Sequence, residues 1–257
     1  MRRWCAILIL LTVFLARAEP PAEELRLESV RQFHAAYQAW DGSQFAAAAE
    51  LSQQAATNGP PSSTNYYWLG TVHFHRMLQL QHQPGGRSNA LAAAAAMNAA
   101  LKALEQALKL NPRDAETHAL LGALYGMKID GHLVRAVRFG PRVAEHRKQA
   151  AALGANNPRV QYLLGACQYH TAKKANEQRE ALATLLRAEQ LFEAEAETPA
   201  GPLDPRWGHD TCLTFIGRTY EKLGDWTKAA EYYGKALARH PADHLAQEGL
   251  ARITERR

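Results

Sequence analysis

Cysteine is scarce in this sequence of 257 residues, which contains three: Cys5, Cys167 and Cys212. Cys5 lies in an N-terminal apolar run, so two thiols, 45 residues apart, remain for the rest of the chain. Two cysteines at that spacing exclude a disulfide framework and a cysteine-rich zinc site. Either they pair in an oxidising compartment, or they are two buried free thiols.

The sequence also lacks the short motifs that carry catalysis. It contains no nucleophile elbow, phosphate-binding loop, dinucleotide fingerprint or His-Glu-x-x-His pair. His73 and His75 are two positions apart, so on a helix they point in different directions and cannot chelate one ion together. We therefore predict a protein that is not an enzyme, with no cofactor and no metal site.

Valine and isoleucine are few, whereas alanine is abundant. This balance favours helices over strands. Apolar residues make up 47% of the chain, which is enough to build a folded core. The composition thus predicts an all-α fold.

There is one long hydrophobic run, the twelve residues CAILILLTVFLA at 5–16. It follows the basic MRRW and precedes the small residues Ala16 and Ala18, which is the order of a secretory signal peptide. A membrane-spanning helix needs roughly twenty apolar residues. We predict a signal peptide at 1–18 and an exported protein, periplasmic or secreted, with no membrane span after cleavage; the alternative is an uncleaved anchor.

Without residues 1–18, the chain has almost no excess of basic over acidic residues. The whole chain carries a formal charge of +5, but removal of Arg2, Arg3 and Arg17 leaves 27 basic against 25 acidic residues. The basic character is therefore largely a property of the first segment. We predict no nucleic-acid partner.

What the sequence does contain is a repeat. A glycine after leucine or isoleucine recurs at Gly70, Gly122, Gly165 and Gly217. Small and large residues then alternate at helical spacing and end at a proline, as in ALKALEQALKLNP before Pro112. The second series comprises Ala229, Tyr233, Ala236 and Pro241. Glycine or alanine at such places allows two helices to approach closely.

These features resemble the tetratricopeptide repeat (TPR) family, over nearly all of the chain after residue 18. The segments NPRVQYLLG and DPRWG also resemble exported TPR proteins of uncharacterised function. The resemblance implies an all-α solenoid of helical hairpins, in which neighbouring hairpins bury each other's apolar faces. The implied domain, 19–257, comprises units at about 29–62, 63–114, 115–157, 158–200 and 210–243, with a capping helix at 244–257.

The repeats are enlarged and irregular, because the four glycines are 52, 43 and 52 residues apart. The extra length of the first spacing, between Gly70 and Gly122, predicts two long helices, at about 64–82 and 88–110. The second, 127–142, mixes basic and apolar residues, and its helical period is broken at Gly131, Gly140 and Pro141; it is either a structural plug or a contact for an acidic partner or lipid headgroups. The extra length of the third spacing, between Gly165 and Gly217, predicts a long helix near 176–195 followed by a proline-rich loop.

A set of aromatic and basic residues falls on the first helix of several hairpins, the side that lines the concave face in TPR proteins. Aromatic side chains with arginine are what binding sites use. This set is either an open groove or a core that the long helices cover. The predicted partner-binding residues are Tyr67, Phe74, His75, Arg159, Tyr162, Tyr169, His170 and Arg218.

The sequence thus predicts a non-catalytic scaffold or adaptor that binds a protein or peptide on its concave face. The alternative is a small-ligand-binding protein, in which the inserted segments close the groove into a pocket.

Overall fold

The computed structural model describes residues 22–83 and 86–255, and within these ranges every regular element is an α-helix. The predicted signal peptide lies outside the described residues. The helices are Ala22–Ala39 (α1), Gly42–Thr57 (α2), Ser63–His82 (α3), Gly86–Leu110 (α4), Ala115–Ile129 (α5), Leu133–Leu153 (α6), Pro158–Thr171 (α7), Ala175–Ala196 (α8), His209–Leu223 (α9), Trp226–Arg239 (α10) and His244–Thr254 (α11).

The first ten helices pack in consecutive pairs, and each pair packs on the next to form a TPR-like solenoid. The all-α prediction is confirmed. The long helices expected near 64–82, 88–110 and 176–195 are present as α3, α4 and α8. The eleventh helix packs on α9 and α10 and buries Ile253, as a capping helix would.

Short polar side chains start many of these helices. Asp41, Asp114, Asn157 and Asp225 each accept a hydrogen bond from the backbone N–H three residues later, at 2.9–3.1 Å. Such caps satisfy one of the free donors at a helix start. These capping residues are visible in the local sequence, and they mark where each of these helices begins.

Glycine allows the two helices of a hairpin to approach closely. A Cβ atom added at Gly70 would lie 2.4 Å from Leu104, one at Gly165 would lie 2.7 Å from Leu185, and one at Gly217 would lie 2.9 Å from the ring of Tyr233. Three of the four recurring glycines therefore mark true contacts between the paired helices. At the fourth, Gly122, the nearest atom belongs to the flexible side chain of Arg147, at 3.3 Å.

The core runs through the whole stack of hairpins. Tyr125, Tyr220 and Tyr233, which stand where the TPR family packs its core, are buried. Cys212 is buried and Cys167 is half-buried, and both are free thiols, so the two cysteines are not paired. Among the described residues, no helix is long and apolar enough to cross a membrane.

The segment 127–142 belongs to the end of α5, the start of α6 and the turn between them. Its helical pattern is interrupted at one place, the turn at Asp130 and Gly131, where φ is +44° and +71°. Helix α6 then runs through Gly140 and Pro141 without a break. Phe139 packs on Tyr125, at 5.8 Å between the rings, but much of this half of the helix is exposed.

Candidate functional site

The inner side of the solenoid forms a partly open cavity of about 1120 Å³, here called the central cavity. Its walls come from helices α3, α5, α7 and α9, from parts of α4 and α6, and from the segment 240–245. Five of the eight predicted partner-binding residues line it: Phe74, His75, Tyr162, His170 and Arg218.

The aromatic residues are not an open surface. Tyr67, Phe74, Tyr162 and Tyr169 are 2–6% exposed, so of the two alternatives the covered arrangement is the one that the structure has. Phe74 and Tyr162 still border the central cavity, whereas Tyr67 and Tyr169 lie behind its wall. The covering comes partly from Trp207, in the loop before α9.

That loop, residues 197–208, turns inward. Trp207 is 2% exposed and lies at 5.0 Å from the ring of His75. Its indole N–H donates to the hydroxyl of Tyr67 at 3.2 Å. Trp68 in turn donates to the carbonyl of Leu203 at 3.2 Å. The proline-rich loop therefore forms part of the cavity wall, and a tryptophan within a polar loop was the one signal for it.

Arg159 belongs to an internal ion network rather than to the cavity. Its guanidinium donates to Glu116 at 2.8 Å and to both oxygens of Glu195 at 2.6 and 2.9 Å. Tyr67 donates to the same Glu116. Burial and the neighbouring Glu116 hold the pKa of Tyr67 well above its usual value, so its hydroxyl stays protonated. This network ties α3, α5, α7 and α8 together beside the cavity.

A second polar cluster joins the two ends of the solenoid. Tyr37 on α1 donates to Asp210 on α9 at 2.6 Å, and Nδ1 of His240 lies 3.0 Å from the other oxygen of that carboxylate. Burial alone would raise the pKa of Asp210, but hydrogen bonds from His240 and Tyr37 outweigh it and lower the pKa. The hydrogen bond to Asp210 raises the pKa of His240. Both shifts favour the charged pair.

Histidine and tryptophan form the end of the cavity next to this cluster. The rings of His82 and His244 are 4.5 Å apart, and Trp40 lies at 6.4 Å from His244. Burial, followed by the charge of His82 when it is protonated, lowers the pKa of His244. His82 and His244 were not predicted as site residues, because they come from segments that are distant in sequence.

The charge of the cavity lining is unbalanced. Its carboxylates are Asp130 and Asp243, and Asp243 already accepts the backbone N–H groups of Leu245 and Ala246. The permanently basic side chains are more numerous: Lys128, Arg135, Arg138, Arg147 and Arg218. An acidic group would therefore be favoured in a space whose remaining walls are largely apolar and aromatic.

Among the described residues, no group of three or more His, Cys, Asp or Glu side chains could hold a metal ion. Burial raises the pKa of Cys167, the thiol that lines the cavity, so it is a poor nucleophile.

Residues 74–254 match the family model described as regulator of microtubule dynamics protein 1-3. No curated protein sequence is significantly similar to the chain. Among solved structures, the thermophilic TPR protein TTC0263 of Thermus thermophilus superposes with a TM-score of 0.63 at 16% identity, over 91% of this chain and 100% of that one. The similarity shows a shared fold.

Two further structures are more distant. One is MamA, with a TM-score of 0.42 at 20% identity, over 67% of this chain and 85% of that one. The other is YrrB, a TPR protein with an unusual peptide-binding site, with a TM-score of 0.39 at 17% identity, over 88% of this chain and 93% of that one. Scores this low support no detailed comparison.

Proposed function

The chain belongs to the regulator of microtubule dynamics protein 1-3 family, and from its fold and its cavity we propose that it is a non-catalytic binding protein. Its ligand is an acidic peptide segment of a partner protein, held in the central cavity. The family's description as regulators of microtubule dynamics is consistent with such a protein-binding role.

The observation that carries this proposal is the lining of the cavity. Apolar and aromatic walls, formed by residues such as Phe74 and Phe215, accept apolar side chains of a ligand. Arg147 and Arg218 border the same space and favour carboxylates. At about 1120 Å³ the cavity exceeds the roughly 300–1,000 Å³ typical of small-molecule sites, which suits a short chain segment.

Gly126 offers a sharp test. It lies on α5, it lines the cavity, and a Cβ atom added there would meet nothing within 4 Å. Gly126→Phe should therefore place a ring in the cavity without disturbing the fold. Gly234 on α10 is exposed, lies outside the cavity and has equally open surroundings, so Gly234→Phe is the matched control.

The measurement is fluorescence anisotropy with labelled peptides that alternate acidic and apolar residues, compared with peptides in which lysine replaces each acid. We expect the acidic peptides to bind, Gly126→Phe to weaken that binding by a factor of about ten or more, and Gly234→Phe to leave it unchanged. Equal binding of acidic and basic peptides, or full binding by Gly126→Phe, would contradict the proposal.

A second candidate ligand is a small apolar molecule with an acidic group. The front half of α6 borders one side of the cavity through Val134, Phe139 and Val143, so an inserted segment contributes to closing it. Native mass spectrometry of the purified chain distinguishes the two. A bound non-peptide mass that is retained by Gly234→Phe and lost from Gly126→Phe would favour the small molecule.

We further propose that the protein is exported and that cleavage follows Ala18. The support is the order of basic, apolar and small residues at the N-terminus. N-terminal sequencing of the protein from its native host should find Glu19 first. A chain that starts at Met1 and stays with the membrane fraction would indicate an anchor instead.

A further inference from the structure

The front half of α6 exposes an apolar stripe. Leu133, Val134 and Val137 are 84%, 84% and 81% exposed, and they are the three most exposed large apolar side chains among the described residues. They lie within about one turn of a single helix. The next most exposed is Leu91 on α4, at 66%. Scattered apolar residues need no explanation, but a contiguous group does.

The stripe continues along the helix. At about 100° per residue, Leu133, Val134 and Val137 fall within a sector of about 100°, and Pro141 and Ala144 fall in the same sector. All five are exposed. Phe139 and Val143 lie on another side of the helix and are only partly exposed; Phe139 is the one that stacks on Tyr125. This half of α6 therefore has two apolar faces, of which the protein covers one.

Basic side chains border the exposed face. Arg135, Arg138 and Arg142 fall in a sector of about 60° next to Val134. Arg142 is 3.6 Å from Glu105, whereas Arg135 and Arg138 form no ion pair within the part of the chain that the structure describes. Asp130 is the one carboxylate between 127 and 144. The segment is thus strongly cationic as well as apolar.

We propose that the front half of α6, residues 133–144, docks on the surface of an anionic lipid bilayer. A helix with an exposed aliphatic face beside a band of arginines is the pattern of an interfacial helix, which buries its apolar face at the headgroup boundary. The arginines then lie at the level of the anionic headgroups.

The side chains favour a bilayer over a protein partner. Protein interfaces centre on aromatic and arginine anchors that fit a packed pocket, whereas this stripe holds only aliphatic side chains and has no aromatic residue. A fluid lipid surface needs no shape complementarity. The left-handed turn at Asp130 and Gly131 places Leu133 at the start of the helix, at the end of the hairpin, where it can reach a surface.

Cosedimentation of the full chain with vesicles tests this proposal. One set of vesicles contains phosphatidylcholine alone, and in the other phosphatidylglycerol replaces part of it. We expect binding to the anionic vesicles that weakens as salt is added, and little binding to the neutral ones. Failure of the wild-type chain to bind anionic vesicles would overturn the proposal.

Two double variants separate the apolar and cationic contributions. Leu133→Ser with Val137→Ser, and Arg135→Gln with Arg138→Gln, should each reduce binding by a factor of about ten or more. The controls are Leu91→Ser for the first variant and Lys102→Gln with Arg113→Gln for the second. These control residues are exposed and lie away from α6 in sequence.

The controls should bind within a factor of about two of the wild type. All substituted residues are exposed, so circular dichroism should show unchanged melting. An equal loss of vesicle binding in the control variants would show that the chain binds anionic vesicles without a specific role for α6, and it would overturn the proposal. So would concentration-dependent self-association that Leu133→Ser with Val137→Ser abolishes, because the stripe would then be an interface between two copies of the chain.

Discussion

The hydroxyl of Tyr37 on α1 donates a 2.6 Å hydrogen bond to the carboxylate of Asp210 on α9, across a sequence separation of 173 residues. The same hydroxyl accepts the backbone N–H of Gly208 at 3.2 Å. The ring of Tyr37 also stacks on His240 at 5.8 Å. One side chain of the first hairpin therefore holds both the start of α9 and the end of α10.

Removal of this hydroxyl should destabilise the whole chain. Tyr37→Phe leaves the buried charge of Asp210 with one donor fewer, and hydrogen bonds to charged groups contribute about 1.5–3 kcal/mol. We expect the free energy of unfolding in urea to fall by about that amount. Tyr66→Phe is the control, because Tyr66 is half-buried and its hydroxyl has no hydrogen-bond partner among the described residues. Equal losses of unfolding free energy in the two variants would show that the Tyr37–Asp210 hydrogen bond does not stabilise the fold.

Acid should destabilise the protein through its buried histidines. Burial lowers the pKa of His75 to about 4, from an ordinary value of 6.5. The unfolded chain therefore binds a proton that the folded chain excludes, and stability is lost as the pH falls from about 6.5 towards 4. Between pH 7 and pH 5 this residue alone should cost about 2 kcal/mol. Burial lowers the pKa of His73 and of His209 to about 4 as well, which adds to the same trend.

Urea titrations of His75→Phe at the two pH values check this expectation. The variant should lose about 2 kcal/mol less than the wild type between pH 7 and pH 5. His132→Gln, at an exposed position, should behave like the wild type. An unchanged pH dependence in His75→Phe would show that folding does not shift the pKa of His75.

Gly217 should not tolerate even alanine. Helix propensity alone would make this substitution neutral or stabilising. However, the added Cβ would lie 2.9 Å from the ring of the buried Tyr233 and 3.3 Å from the carbonyl oxygen of Ala229. Gly217→Ala should therefore cost about 1–3 kcal/mol through overpacking. Gly234→Ala, where the space is open, should stabilise by about 0.5–1 kcal/mol. Denaturant curves that show a gain at both positions would contradict the close packing.

Trp207 should be essential to the fold although it lies in a loop. Its side chain is 2% exposed and touches both Tyr67 and His75, so Trp207→Ala should cost about 3–5 kcal/mol. Trp226→Ala is the control, because that side chain is 36% exposed and should cost clearly less. Thermal melts of the two variants give the comparison. Similar melting temperatures would mean that the loop is not anchored by Trp207.

The features that the sequence predicted correctly are local ones. Recurrence of Leu or Ile before Gly70, Gly165 and Gly217 indicated paired helices, because close helix packing leaves a short-range pattern. The long helices α3, α4 and α8 were visible for the same reason. Phe74, His75, Tyr162, His170 and Arg218 were placed on the inner side by the resemblance to the TPR family, and the structure puts them on one cavity.

The features that were missed depend on contacts distant in sequence. Tyr67 is covered by Trp207 in the loop before α9, and Tyr169 by Phe215 and Arg218 on α9. No local pattern in the sequence records either contact. Arg159 was predicted as a partner contact, but its ion pairs with Glu116 and Glu195 reach across 43 and 36 residues. The break expected near Gly140 and Pro141 did not occur. Both residues have a low helix propensity, which is a weak prior that tertiary context overrides.

The contact of the first hairpin with the last also limits how this protein can vary in length. In an open repeat array each unit touches only its neighbours, so units can be gained or lost by duplication and deletion, and an end can unravel alone. Here an added or missing hairpin would separate Tyr37 from Asp210 and His240. We therefore expect relatives that keep these three residues to keep five hairpins, and we expect the first and last hairpins to unfold in a single cooperative step.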